Sequence, residues 1–439
     1  MMREPMRLRP YLDLLRGNRS FSRLFAAQLI SFGGDWFATV AILGLTLELT
    51  GSPAIASLLL VVQTGAFAVA SPIAGVLADR FDRRRLMVIA DLSRVPVALA
   101  LLLARDGGTL WIAFVAVGLL SVGAAVFEPT SSASLPNLVD DDDLGEANVL
   151  IGSSWGTMLA VGAAIGGLVA ATFGRDVAFV ANAASFAASG YLIVGISRPL
   201  RRRAQDGLDH HQLPHGGLRG VGESIAIVLR FARGNRRLAA LLLSKTTFGV
   251  GTGVILMLAV FGRDVFRAGD AGIGVLFAAR GLGALIGPFV ARSIIGLSDR
   301  GLLRGIGVSF LAFATGYSLL PFSPALWVAS IVVFVAHLGG GAQWMLSTYG
   351  LQRASPDEIR GRVFSFDYGL VTVTIAMSML VAGFLAERLE PAVTTWILVG
   401  LAAIAAAGWL ALARPLIRRP SRAPNVPPDV PPDVPPGYR

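Results

Sequence analysis

No cysteine occurs in the 439 residues, which excludes disulfides, thiolate metal sites and cysteine nucleophiles. Charge is also scarce. Asp, Glu, Lys and Arg make up 15% of the chain, against about 25% in a typical soluble domain. Of four histidines, three (His210, His211, His215) share one short polar stretch, so no buried metal site is expected, and no cofactor. The Gly-x-x-x-x-Gly-Lys-Ser/Thr phosphate loop is missing, which excludes a fused ATPase of the usual kind, and no other enzyme motif is present. The start of the chain does not read as a cleavable signal peptide: it is long and Arg-rich, and the first apolar run after it is of full spanning length.

What is abundant is apolar residues, 54% of the total, and glycine, 51 in number, a composition suited to helices packed closely in lipid. A bilayer core about 30 Å thick needs about 20 apolar residues per helix. Such runs lie near 24–47, 53–77, 86–104, 109–131, 147–172 and 176–196, and again near 238–261, 271–295, 302–320, 325–348, 363–386 and 391–413. The expected fold is an all-α polytopic membrane protein of twelve helices in two six-helix pseudo-repeats. Its parts are an N-tail (1–23), a first bundle (24–196), a linker (197–237) with a short surface helix near 222–233, a second bundle (238–413) and a Pro-rich tail (414–439). The Pro-Pro-Asp-Val repeat of that tail cannot bury a core and reads as extended chain.

The net charge of +10 does not indicate nucleic acid, because the basic residues cluster between apolar runs and not along one face. With the N-terminus placed inside, thirty basic residues fall in inner segments and five outside (Arg105, Arg175, Arg263, Arg267, Arg388); Arg94, Lys245 and Arg280 lie within spans. The positive-inside rule then puts both termini in the cytoplasm. Internal repetition supports two halves. Gly75-Val-Leu-Ala-Asp79-Arg80 is matched by Gly287-Pro-Phe-Val-Ala-Arg292 at an offset of 212, and the segment around Leu135 by that around Leu351 at an offset of about 216.

The loop after the second span reads Gly75-Val-Leu-Ala-Asp79-Arg80-Phe-Asp82-Arg83-Arg84-Arg85. It resembles the signature loop of the major facilitator superfamily, Gly-x-x-x-Asp-Arg-x-Gly-Arg-Arg, with Asp82 where Gly is usual. Gly162-Ala-Ala-Ile-Gly166-Gly167 in span five is similar to the antiporter motif of facilitator exporters, with Ala163 in place of Pro. Phe32-Gly33-Gly34-Asp35, Asp91-Leu-Ser-Arg94, Phe127-Glu128-Pro129, Ala279-Arg280-Gly281 and Pro356-Asp-Glu-Ile-Arg360-Gly361-Arg362 together resemble the branch holding enterobactin exporters and macrolide efflux proteins. The resemblance covers about residues 20–413. It implies proton-driven export of amphipathic small molecules across the bacterial cytoplasmic membrane by a functional monomer, with an inner gate at the signature loop.

Ionisable groups inside spans are costly and are therefore the sharpest functional candidates. Asp35, near the middle of span one, leads as a proton-carrying carboxylate, with Glu128 second and His337 as a relay. Arg280 is a candidate partner of Asp35 or of an anionic substrate group. Gln63, Asn182, Gln343 and Trp36 are candidate cavity-lining groups. Asp91, Arg94 and Asp367 are expected near the cytoplasmic ends of their spans, forming one inner charge network with Asp79, Arg80, Arg83, Arg84 and Arg85. Lys245 is expected to extend toward the cytoplasmic surface. The expected partners are lipid, protons and a small-molecule substrate. A facilitator or importer without proton antiport, and a non-transporting receptor or scaffold, are the alternatives; loss or retention of transport on replacing Asp35 separates the first from antiport.

Overall fold

The computed structural model describes residues 9–200, 218–295, 298–355 and 357–418. Among the described residues, twelve helices are long and apolar enough to cross a membrane. A short helix α1 (Arg9–Gly17) precedes them. The first six are α2 (Arg19–Thr50), α3 (Pro53–Arg80), α4 (Arg83–Ala100), α5 (Trp111–Leu138), α6 (Leu144–Phe173) and α7 (Arg175–Val194). Helix α8 (Leu218–Gly234) lies in the linker and extends the surface helix expected near 222–233. The second six are α9 with α10 (Arg236–Gly251 and Val254–Val260, one span), α11 (Gly269–Ile295), α12 (Asp299–Leu319), α13 (Leu326–Ala354), α14 (Asp357–Ala386) and α15 (Pro391–Arg418).

Local chemistry sets the boundaries. The Asn18 side chain caps α2 by accepting from Phe21 N, so that the helix begins at Arg19, five residues before the expected start of the span. Gly51 ends it at φ +63, a left-handed conformation that glycine adopts without steric cost. Ser52 then caps α3, with Pro53 at its first position. The span formed by α9 and α10 breaks at Gly251-Thr252-Gly253, and α14 repairs the break. Ser378 Oγ accepts from Gly253 N at 2.8 Å and donates to the Val250 carbonyl at 2.6 Å, so backbone groups freed in lipid stay satisfied.

Because every span reverses direction, the bundle has a linker end and a far end. Buried apolar residues divide accordingly. One cluster crosses both halves and lies toward the far end: Val40, Leu43 and Leu47 of α2 and Ala56 of α3 meet Leu256, Leu258, Ile273 and Phe277 of the second half. At the linker end the clusters stay separate, one around Phe21, Met87, Phe127 and Leu135, the other around Leu241, Leu303, Leu346 and Trp409.

The halves also meet along a seam of small residues between α6 and α11. A Cβ added to Gly156 would stand 3.4 Å from Leu285 Cα, and one on Gly281 would stand 2.7 Å from Ala160 Cα. Gly167 and Gly274 oppose each other, an added Cβ on either lying 2.7 to 2.8 Å from the other's Cα. Only small residues allow backbones this close.

Candidate functional site

Midway along α2, Asp35 faces Arg94 of α4. The Arg94 guanidinium donates to Asp35 Oδ2 at 3.4 Å, to Ser31 Oγ at 3.1 Å and to Asp91 one turn before it on α4. It lies over the Phe186 ring at 4.1 Å and the Phe127 ring at 5.8 Å. Room for it comes from Gly123, whose added Cβ would approach Arg94 Cγ to 2.7 Å. Arg94 and Asp91 are sealed from solvent, whereas the Asp35 side chain keeps 27% of its exposure. Glu128 on α5, half-buried, lies within electrostatic reach of both Asp35 and Arg94.

This placement corrects two expectations. Among the described residues Asp91 and Arg94 make no contact with the signature loop: one turn apart on a single face, they point into the first half toward α2. Arg94, not Arg280, is the partner of Asp35. Asp367 also leaves the loop network. It accepts from Lys245 Nζ at 2.6 Å, with both side chains buried, and the rings of Trp344, Tyr368 and Phe364 stand 4.9, 5.2 and 6.0 Å from the amine. Lys245 therefore turns inward and does not extend toward the surface.

Arg280 occupies the middle of α11. Its Nε donates to His337 Nε2 at 3.3 Å, and His337 Nδ1 lies 3.2 Å from the Tyr317 hydroxyl. A guanidinium only donates, so Nε2 accepts, and the neutral ring carries its hydrogen on Nδ1, within reach of the Tyr317 hydroxyl and the Val333 carbonyl. The Arg280 guanidinium carbon lies 5.8 Å from the rings of Trp155 and Phe277, and Trp36 packs against both of these at 6.1 and 6.2 Å.

Gln63 is half-buried and donates to Thr39 at 3.4 Å. Asn182 and Gln343 are fully buried with both amide ends unpartnered. Asn182 packs inside the first half, 2.6 Å from where a Cβ on Gly34 would lie.

In the signature loop, Asp82 caps α4 by accepting from Arg85 N at 2.9 Å, which explains an acid where the pattern has Gly. Arg83 donates to the carbonyls of Ala133 and Leu200 at 2.6 and 3.2 Å, and Arg84 to that of Arg198 at 3.2 Å. Arg80 is exposed at the end of α3. The side-chain surroundings of Gly75 and Asp79 lie outside the described part. In the antiporter-like motif, Gly162 and Gly166 lie against Gly33 and Phe37 of α2, and Gly167 against α11.

One feature had no clear sequence signal. At the far end Arg175 donates to both Asp270 oxygens (2.7 and 3.1 Å) and reaches Glu48 at 2.8 Å, joining α7 and α2 to α11 across the halves. Ser52 bonds Glu387 nearby. In sequence these were ordinary charges beside outer loops.

Residues 15–428 match the family model described as transmembrane secretion effector, a major facilitator group. The chain belongs to this family of transporters. The transporter is 24% identical over 377 residues to macrolide efflux protein A of Streptococcus pyogenes, covering 84% of this chain and 90% of that one. It is 27% identical over 381 residues to the multidrug efflux pump Tap of Mycolicibacterium fortuitum, covering 83% and 88%. Its fold is similar to a solved bacterial homologue of the human lysosomal transporter Spinster in an inward-facing, unoccupied conformation (TM-score 0.66, 16% identity, 92% and 99% covered). The transporter is thus a multi-pass membrane protein and not an enzyme.

Proposed function

We propose that the transporter exports amphipathic small molecules, drug-like or siderophore-like, from the cytoplasm across the bacterial cytoplasmic membrane, driven by proton entry. The charge asymmetry of the loops supports placing the linker end and both termini in the cytoplasm. The apolar cluster that bridges the halves only toward the far end then corresponds to an inward-open state. The bundles over 24–196 and 238–413 are the bodies that rock.

The observation that carries the coupling is the group of Asp35, Asp91 and Glu128 around the single Arg94. Three carboxylates on one guanidinium leave an uncompensated charge of about −2 when all are ionised, and a proton taken up reduces that burden in a low-dielectric setting. Of the two carboxylates that bond Arg94, Asp35 is the one that retains solvent exposure and holds the longer contact. In the inward-open state it releases its proton and pairs with Arg94; in the outward-open state it takes one up and lets Arg94 go. Each charge crossing 100 mV supplies about 2.3 kcal/mol, roughly a fiftyfold gradient.

The test is proton release from energised everted vesicles on adding a panel of macrolides, other amphipathic drugs and siderophores to the bath, which faces the cytoplasmic side, comparing wild type with Asp35→Asn. Drug-dependent proton movement that vanishes in the variant supports the reading. Transport in both proteins without proton movement leaves a facilitator. No flux for any compound removes the export reading.

A further inference from the structure

The cations inside the spans are not treated alike. Arg94 has two carboxylates and Lys245 has one. Arg280 has none: among the described residues its polar partner is the neutral His337, and no carboxylate pairs with it. An uncompensated charge at membrane depth is expensive and is retained where it has a task. A guanidinium has five donors, and one of the five on Arg280 is used.

The surroundings hold the group in place. Just beyond Arg280, helix α11 is pinned against α6 and α13 by close approaches, Gly281 on Ala160 and Gly283 on His337, where an added Cβ would come within 2.7 and 2.8 Å of neighbouring carbon atoms. His337 is fixed in turn by Tyr317. Facing the guanidinium is an aromatic box built from both halves: Trp36 and Trp155 from the first, Phe277 from the second. Trp155 and Arg280 both keep solvent exposure, so a molecule entering the parted end can reach them.

We infer that Arg280 is the anchor for the acidic group of the transported molecule, and that the substrate class is amphipathic aromatic anions. A carboxylate or sulfonate takes the free fork of the guanidinium, and the attached ring system stacks on the exposed Trp155 ring, which Trp36 and Phe277 back. The proposal rests on the export reading for its direction but not for its binding chemistry. Ligand held here touches both halves at once, so its arrival and departure bear on their relative position.

The test is binding to the purified transporter in lipid nanodiscs, with no gradient applied. The probe is 8-anilinonaphthalene-1-sulfonate, followed by energy transfer from tryptophan. Its neutral counterpart is N-phenyl-1-naphthylamine, the same ring system without the sulfonate. Expected are saturable sulfonate binding in wild type, a loss of roughly tenfold to a hundredfold in Arg280→Gln, a smaller loss in Arg280→Lys, which keeps charge without the fork, and no change for the neutral probe. Should Arg280→Gln fail to fold, displacement in wild type decides: benzenesulfonate must compete and aniline must not. Equal sulfonate affinity in wild type and Arg280→Gln, absence of saturable binding, or displacement by aniline overturns the proposal. Sulfonate binding through Arg280 alongside proton-independent export in the vesicle assay would sink the coupling and leave this inference standing.

Discussion

The amine of Lys245, the sequence's only lysine among 38 basic residues, lies 2.6 Å from Asp367 Oδ2, and neither side chain reaches solvent. The pair ties α9 to α14 inside the second half, one and a half turns from the break at Gly251. Removing one member leaves the other charged and buried without a counterion, a cost of about 3–5 kcal/mol. Lys245→Met and Asp367→Leu are each expected to lower the melting temperature in nanodiscs sharply, and the double variant to recover most of the loss. A double variant as unstable as either single one would show that the pair is not the stabilising unit.

Arg94 is held by a fork reaching three acceptors, Asp91, Ser31 and Asp35. A lysine keeps the charge but not the planar set of donors. Arg94→Lys is therefore expected to behave like a loss of function, with drug efflux reduced at least tenfold and expression retained. Near-normal efflux would mean that charge alone suffices at this position.

At the far end, the Arg175–Asp270 pair bridges the halves, with Asp270 buried. Asp270→Asn weakens that bridge and is expected to favour opening on this side. The natural absence of cysteine makes the readout direct. A single Leu47→Cys, at a position now 1% exposed, should react several-fold faster with a membrane-impermeant maleimide in the Asp270→Asn background. Unchanged labelling would assign the bridge no part in closure.

Gly167 tolerates no side chain while it faces Asp270 and Gly274. Gly167→Val is expected to separate α6 from α11, with an overpacking cost of about 1–3 kcal/mol and transport reduced at least tenfold. Gly152, about four turns earlier on α6 and with nothing around an added Cβ, should accept alanine with full activity.

Much of the fold was legible because its signals are local. Twenty-residue apolar runs mark the spans, and the Asn18 and Ser52 caps merely lengthen or sharpen what the runs already outline. The site was legible only as a set of residues. Asp35, Asp91 and Arg94 stood out as ionisable groups in apolar sequence, and the i, i+3 spacing joined the last two. Their meeting with Asp35, 59 positions from Arg94, depends on how α2 packs against α4, which no local pattern encodes. Lys245 and Asp367, 122 positions apart, were hidden for the same reason. Arg175 was hidden differently: a charge that orients a protein in the membrane and a charge that latches two halves look identical in a loop.

The seam between α6 and α11 has a mechanical consequence. From Gly156 to Gly167 it runs about 16 Å along the helix, and at its glycines the two helices meet with backbone against backbone. Interlocked side chains would have to unmesh before the halves could tilt. In the rocking motion proposed above, glycine contacts of this kind let one helix tilt on the other, so the crossing serves as a bearing while the ion pairs at the far end resist the stroke.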